Sequence, residues 1–244
     1  MTRGLGLLAA AFVAVLAMPV EAQKVADQQS RREALALYRT GQEHMSAERF
    51  DKAVEAFSAA VAKDSLLTVA YYGLGQAYMS LQRYASAVQA YQGTVESMKS
   101  LHALEQTNQF EVDKRRQETI RELRSELNGS GQKLDPLKRT KLEQRVSELE
   151  HERTSLGRPF QAPAFVLLAM GSAHFRNGDR DAAAAEWQAA VTVDPKLGEA
   201  HNNLAVLHMM NGRRSDAENA VTLAEKAGFK VNPQLKADIS KLPR

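Results

Sequence analysis

The 244-residue sequence contains no cysteine, which excludes a disulfide scaffold, a thiolate metal site, a cysteine nucleophile and an acylated cysteine anchor. It has only 14 glycines and 7 prolines, so a fold of many short strands joined by tight turns is disfavoured. Neither sign of charge dominates, since 32 Lys and Arg are matched by 29 Asp and Glu. Charge alone therefore gives no reason to expect a nucleic-acid partner.

The chain has a single long apolar run, residues 5–18, which follows Arg3. This run is shorter than the ~20 residues that a bilayer-spanning helix needs. Small residues then precede Gln23 at the two positions that signal cleavage requires. We interpret residues 1–22 as a secretory signal peptide and expect an exported protein, in a bacterial periplasm, whose mature chain has no transmembrane segment. An uncleaved N-terminal anchor helix is the alternative.

Four blocks of equal length share one pattern of small and aromatic residues: 34–67, 68–101, 164–197 and 198–231. The recurring residues are Gly41, Ala53 and Phe57, then Gly75, Ala87 and Tyr91, then Gly171, Ala183 and Trp187, and finally Ala205 and Ala217. The spacing predicts two helices in each block, with the small residues where the two helices approach closely.

This pattern resembles the tetratricopeptide repeat family, whose unit is a helix–turn–helix of about 34 residues. The resemblance implies an all-α fold, a short helical solenoid of two repeats, an insertion and two further repeats. The expected division of the chain is a signal peptide (1–22), an N-terminal segment with repeats one and two (23–101), a charged insertion (102–163), repeats three and four (164–231), and a C-terminal capping helix with a tail (232–244).

The insertion is rich in both signs of charge, and apolar residues recur in it at heptad spacing. One seam is Leu142, Val146, Leu149 and Leu156, and the facing seam is Ile120, Leu123 and Leu127. We predict an antiparallel, coiled-coil-like helical hairpin that extends the second helix of repeat two, with 102–127 reaching roughly 39 Å if fully helical. Residues 113–117 lack apolar side chains, so we expect them to be loosely held.

Two interpretations of this arm stay open. It is either a solvated charged surface or an arm that binds a partner or self-associates through residues 102–158. Nucleic-acid binding is disfavoured because no aromatic residues alternate with the basic ones.

The resemblance also implies a concave face lined by the first helix of each repeat. Repeat register places on it Leu35, Tyr38, Gln42, Met45, Val69, Tyr72, Gln76, Met79, Phe165, Leu168, Phe175, Asn202 and Met209. Tyrosine and methionine make an adaptable apolar surface with polar tips. We expect this face to bind a peptide or helix of a partner protein, and we expect alanine at Tyr38 and Tyr72 to cost little stability. The alternative is that residues 24–33 cover the face.

The sequence contains no recognisable catalytic motif, and we expect neither an enzyme nor a bound cofactor. His44, His174 and His208 share the repeat position of Tyr78, which favours packed histidines. A metal site formed by His174, His201 and His208 is the weaker alternative. The function predicted is a non-catalytic protein-interaction scaffold of the cell envelope. The alternative is a structural adaptor whose arm mediates self-association or the assembly of an envelope complex.

The first prediction concerns export. N-terminal sequencing of the protein recovered from the periplasm should begin at or near Gln23. Replacing the small residue at the cleavage site, Ala22→Arg, should block processing, because signal cleavage requires a small residue there. A wild-type exported chain that begins at Met1 or Thr2 would overturn the interpretation of residues 1–22.

Overall fold

The computed structural model describes residues 25–128, 136–151 and 158–243, and these residues form eleven α-helices and no β-strand. In chain order the helices are α1 (Gln28–Ser46), α2 (Phe50–Lys63), α3 (Thr68–Ser80), α4 (Tyr84–Thr107), α5 (Gln109–Asn128), α6 (Pro136–His151), α7 (Ala164–Asn177), α8 (Arg180–Val193), α9 (Gly198–Met210), α10 (Arg214–Lys226) and α11 (Pro233–Ser240). The predicted all-α class is confirmed. The proposed signal peptide lies outside the described residues.

Four helix pairs, α1–α2, α3–α4, α7–α8 and α9–α10, form the repeats, and the first three pack through glycine and aromatic residues. A Cβ atom added to Gly41 would lie 2.5 Å from the ring of Phe57, and one added to Gly171 would lie 2.6 Å from Trp187. The Phe57 ring also lies 2.8 Å from a Cβ added to Gly73 of the next pair. The aromatic side chain therefore fills the space within one pair and also packs against the next.

The turn inside each pair requires one residue in the left-handed region. Gly178 and Gly212 have φ values of 94° and 69° at this position. Repeats one and two place Glu48 (φ 55°) and Gln82 (φ 57°) at the equivalent position. Side chains other than glycine are disfavoured there by roughly 1–2 kcal/mol. The first two turns are therefore locally strained, and packing of the helices on both sides holds them in place.

The stack of pairs continues across the insertion. Helix α7 packs against α4, just as α3 packs against α2 and α9 against α8. The rings of Tyr72 in α3 and Phe165 in α7 meet edge to face, with centroids 5.4 Å apart. At the other end of the stack, α11 packs against α10 and α9 and buries Ile239. No helix in the described part of the chain is long and apolar enough to cross a membrane.

Helix α4 is longer than the second helix of the other pairs, with 24 residues against 14 in α2 and α8 and 13 in α10. It does extend past the repeat, but it ends at Thr107. The Asn108 side-chain oxygen accepts a hydrogen bond from the Glu111 backbone N–H at 3.2 Å, which caps the start of α5. The expectation of one continuous helix over 102–127 is therefore wrong. The chain turns at Asn108 and α5 returns to the first repeat.

The stretch 113–117 is not loosely held. The Arg115 guanidinium lies 3.1 Å from the Asp64 carboxylate at the end of α2, and its side chain is only 10% exposed. Arg116 pairs with Asp113 at 2.8 Å and with Glu105 of α4 at 3.9 Å. Ion pairs to neighbouring helices anchor this stretch in place of the apolar contacts that its sequence lacks.

The apolar residues in the second half of α5 face α6. Ile120 of α5 is buried together with Val146 and Leu149 of α6, and Leu123 and Leu127 pack against them. The other end of the predicted seam, at Leu156, lies outside the described residues. Because its apolar side is turned to α6, α5 presents mainly charged residues to the repeats.

The close approach of α7 and α8 predicts the effect of a matched pair of substitutions. Ala183 is fully buried in α8, while Ala185, two residues along, is exposed. Ala183→Leu should lower the free energy of unfolding by about 1–3 kcal/mol through overpacking. Ala185→Leu should change it by less than about 0.5 kcal/mol. Urea unfolding followed by circular dichroism measures both. Equal stability of the two variants would contradict the packing described.

Candidate protein-binding face

Helices α1, α3, α7 and α9 supply the thirteen residues assigned to the concave face by repeat register, and none of the thirteen is fully buried. Gln42, Gln76 and Phe165 are exposed, Phe165 by 50%. The half-buried members are Leu35, Tyr38, Met45, Val69, Tyr72, Met79, Leu168, Phe175, Asn202 and Met209. The set is thus a surface layer directly above the core.

The two tyrosines of this face also contact the core. The Tyr38 ring centroid lies 5.7 Å from that of Phe57, and the Tyr72 centroid lies 5.5 Å from that of Tyr91. Truncating either tyrosine would leave a gap over a buried aromatic ring. Contrary to the expectation from the sequence, we therefore expect alanine at either position to lower stability as well. Both tyrosines are poor probes of binding alone.

The first-repeat end of the face is partly covered by the insertion. Leu35 of α1 lines a cavity of about 40 Å³ together with Glu118 and Glu122 of α5. The pKa of Tyr38 is raised to about 12, first by burial and then by the Glu126 carboxylate of α5, while Arg145 of α6 acts in the opposite direction. Charges from both helices of the insertion thus lie near Tyr38.

The alternative that residues 24–33 cover the face is not what the structure shows. Residues 28–33 are the first turns of α1 itself, and α5 is the helix that shares a cavity with Leu35. Residue 24 lies outside the described part of the chain.

Ion pairs join α1 to α5. The Arg31 side chain, 7% exposed, donates from Nε to Glu118 at 2.8 Å and from Nη1 to Glu111 at 3.0 Å. Two turns further along α1, Arg39 lies 3.3 Å from Glu122 in a more exposed pair. The hydrogen bond with Glu118 is the main cause that raises the pKa of Arg31. Arg31 is therefore charged at neutral pH.

Burial opposes the ionisation of Glu118. The hydrogen bond from Arg31 and the positive charges of Arg31, Lys114 and Arg115 outweigh burial, so the pKa of Glu118 lies below its ordinary value of 4.5. A carboxylate held in this way stabilises the fold only while it is ionised.

The remainder of the face, from α3 to α9, is open. Phe165 is half exposed next to Tyr72, and Asn202 and Met209 lie half-buried further along. Burial raises the pKa of Tyr72, and the Glu199 carboxylate of α9 raises it further. This part of the face therefore combines aromatic, amide and carboxylate groups on one curved surface.

The histidines do not form a site. The Nδ1 atoms of His44, His174 and His208 are buried without a hydrogen-bond partner, and His174 Nδ1 lies 3.6 Å from Asp179. His201 hydrogen-bonds the Pro195 carbonyl oxygen at 3.0 Å. In the described ranges no three His, Asp or Glu side chains are grouped so that they could hold a metal ion.

Sequence reasoning missed the two arginines of α1, Arg31 and Arg39, as part of this face. Arginine side chains on a helix are ordinarily solvated, and the partners of these two lie in a distant part of the chain. The available signal was charge complementarity between the basic side of α1 and the acidic side of α5.

The lowered pKa of Glu118 predicts a pH dependence. Its contribution to stability should be present above pH 4.5 and should be lost as the pH falls through its lower folded-state pKa. At pH 6, Glu118→Gln should lower the free energy of unfolding by about 1–3 kcal/mol, because it weakens a buried charged hydrogen bond. The difference from wild type should shrink toward pH 3. Urea unfolding at both pH values measures it.

The control is Glu225→Gln, which removes a carboxylate from the exposed pair with Lys236. Its effect should be below about 1 kcal/mol at pH 6. A Glu118→Gln effect that is no larger than the control, or that is the same at both pH values, would contradict the role assigned to Glu118.

Comparison with solved structures gives matches of low sequence identity. A crystal structure of MamA is 14% identical with a TM-score of 0.52, and the match covers 82% of this chain and 81% of that chain. A crystal structure of PilW, described as a type IV pilus biogenesis factor, is 14% identical with a TM-score of 0.43 over 89% and 87% of the two chains. A crystal structure of YrrB, described as a tetratricopeptide repeat protein with an unusual peptide-binding site, is 18% identical with a TM-score of 0.31 over 88% and 95%.

The likeness to MamA supports the helical-repeat fold. No curated protein matches the sequence. The sequence model of the tetratricopeptide repeat family matches residues 38–98 and 168–228, which together make up half of the chain. The two matched segments cover most of the four helix pairs that form the stack. The chain belongs to the tetratricopeptide repeat family.

Proposed function

We propose that this protein is a non-catalytic scaffold that binds a peptide or helix of a partner protein on its concave face. The tetratricopeptide repeat is typically a protein-interaction module, and no enzyme family is indicated. The observation that supports the proposal best is that the face already accepts a helix. Helix α5 of the same chain is ion-paired to α1 through Glu118 and Glu122, and these two residues line a cavity together with Leu35.

The open part of the face is where the partner would make its apolar contacts. Phe165 exposes half of its surface there, next to the partly covered ring of Tyr72. An exposed aromatic side chain on a curved surface is a typical anchor for a bound segment. The exposed amide of Gln76 can hydrogen-bond a bound backbone or side chain.

The location that fits this proposal is the cell envelope, with export to a bacterial periplasm. The support is the sequence of residues 1–22 together with the absence of cysteine, which avoids wrong disulfides in an oxidising compartment.

The structural-adaptor alternative has one observation in its favour. Phe110, in the first turn of α5, is 79% exposed and could serve as an apolar contact between molecules. The heptad residues of the insertion are less available, because Ile120, Val146 and Leu149 pack against one another within the chain. We therefore favour the concave face over the insertion as the surface that binds the partner.

Substitutions on the open part of the face test the proposal. A photo-crosslinking residue at position 76 identifies the partner, whose affinity is then measured by calorimetry. Phe165→Ala should weaken binding at least tenfold, about 1.4 kcal/mol, through loss of an aromatic anchor.

Leu223→Ala is the matched control, because Leu223 is an exposed apolar residue of α10, at 37%, outside the concave set. It should leave the affinity within about twofold of wild type, which is the range of a neutral surface change. Equal effects of the two substitutions, or crosslinks that do not form at position 76, would contradict concave-face binding.

A further inference from the structure

Helix α5 meets the concave face through charge rather than through apolar packing. Its carboxylates at 111, 118 and 122 pair with Arg31 and Arg39 of α1, while the apolar residues of its second half face α6. A partly open cavity of about 40 Å³ also lies between α1 and α5. A helix that lies on a surface in this way buries little apolar area there, so the contact is weaker than the packing between repeats.

The three carboxylates form one stripe along α5. Residues separated by 7 and 11 positions return to nearly the same side of an α-helix. The positive groups facing the stripe, Arg31 and Arg39, are two turns apart on α1, and the Arg39–Glu122 pair is only partly shielded from solvent. The first-repeat end of the face is thus complementary in charge to a helix with an acidic stripe at this spacing.

We propose that α5 is an internal ligand of the concave face, and that the partner is a helix with carboxylates at the spacing of Glu111, Glu118 and Glu122 that displaces it. This inference rests on the proposed function and specifies the partner. The acidic stripe of the partner pairs with Arg31 and Arg39, and its continuation contacts the open surface around Phe165. While α5 is bound, it competes with the partner for the same arginines.

The probe is a fluorescein-labelled synthetic peptide with the sequence of residues 109–128, added to the full-length protein. The buried Arg115–Asp64 pair also holds α5. The variant Arg115→Ala/Glu118→Lys/Glu122→Lys therefore removes this pair, places positive charge opposite Arg31 and Arg39, and should release the internal helix. The peptide should bind this variant at least tenfold more tightly than wild type, because the tethered α5 of wild type competes at high effective concentration. Fluorescence anisotropy gives both dissociation constants.

Three controls test the charge pattern. A peptide carrying Glu111→Lys, Glu118→Lys and Glu122→Lys should bind the variant at least tenfold more weakly than the native peptide. Adding Arg39→Glu to the protein variant should also weaken binding of the native peptide. Raising the salt concentration from 0.1 M to 1 M should weaken it further, because the exposed part of the contact is screened.

A second variant covers the case in which charge reversal disturbs folding. Glu118→Gln/Glu122→Gln removes the same two carboxylate charges without changing side-chain size, and it should bind the native peptide with an affinity between those of wild type and the lysine variant. Equal affinity of all three proteins, or binding to none of them, would overturn the inference. So would equal binding of the native and charge-reversed peptides.

The result of this peptide-binding test can be distinguished from the result of the Phe165→Ala test of the proposed function. If the peptide binds no variant while Phe165→Ala still weakens the identified partner, the concave face binds the partner and α5 is a fixed structural element. If the peptide binds as expected while Phe165→Ala has no effect, α5 is displaceable and the partner contacts a different surface.

Discussion

The fold depends on one steric constraint, the contact between an aromatic ring and a glycine backbone inside each of the first three helix pairs. Phe57 lies on Gly41, Tyr91 on Gly75 and Trp187 on Gly171, at distances that leave no room for a β-carbon. The contact sets how closely the two helices of a pair approach. Because the Phe57 ring also lies against Gly73, the same contact fixes how the second pair stacks on the first. The curved face follows from repeating it.

This constraint explains why the long insertion between repeats two and three leaves the stack intact. Helix α7 packs only on the side of α4 that faces it. There, Ala87, Val88 and Tyr91 of α4 share one buried cluster with residues of α7. The part of α4 beyond the repeat continues toward α5, which it contacts. The chain can therefore leave at Thr107 and re-enter at Ala164 without changing the helix packing between repeats two and three.

Charge then decides where the insertion lies. An isolated charged helix gains little from solvated ion pairs. Arg31 and Arg115 are different, because they are largely buried between helices and each meets a carboxylate from a distant part of the chain. A charge at such a position needs its partner, since an unpaired buried charge is strongly destabilising. The same electrostatics that hold α5 on α1 make the contact sensitive to pH and to the charges of a competing helix.

The sequence by itself determined the repeat. Small and aromatic residues at a fixed spacing encode a local packing geometry, so the recurrence of pairs such as Gly171 with Trp187 in successive blocks predicts the helix pairs and their close approach. The residues assigned to the concave face follow from the same register, and they do form a layer that is neither fully buried nor fully solvated. The tertiary structure alone decided that Tyr38 and Tyr72 also support the core, and that α5 covers the first repeat. Register shows which side of a helix a residue occupies, but pairing between distant segments depends on which charges the folded stack brings within reach.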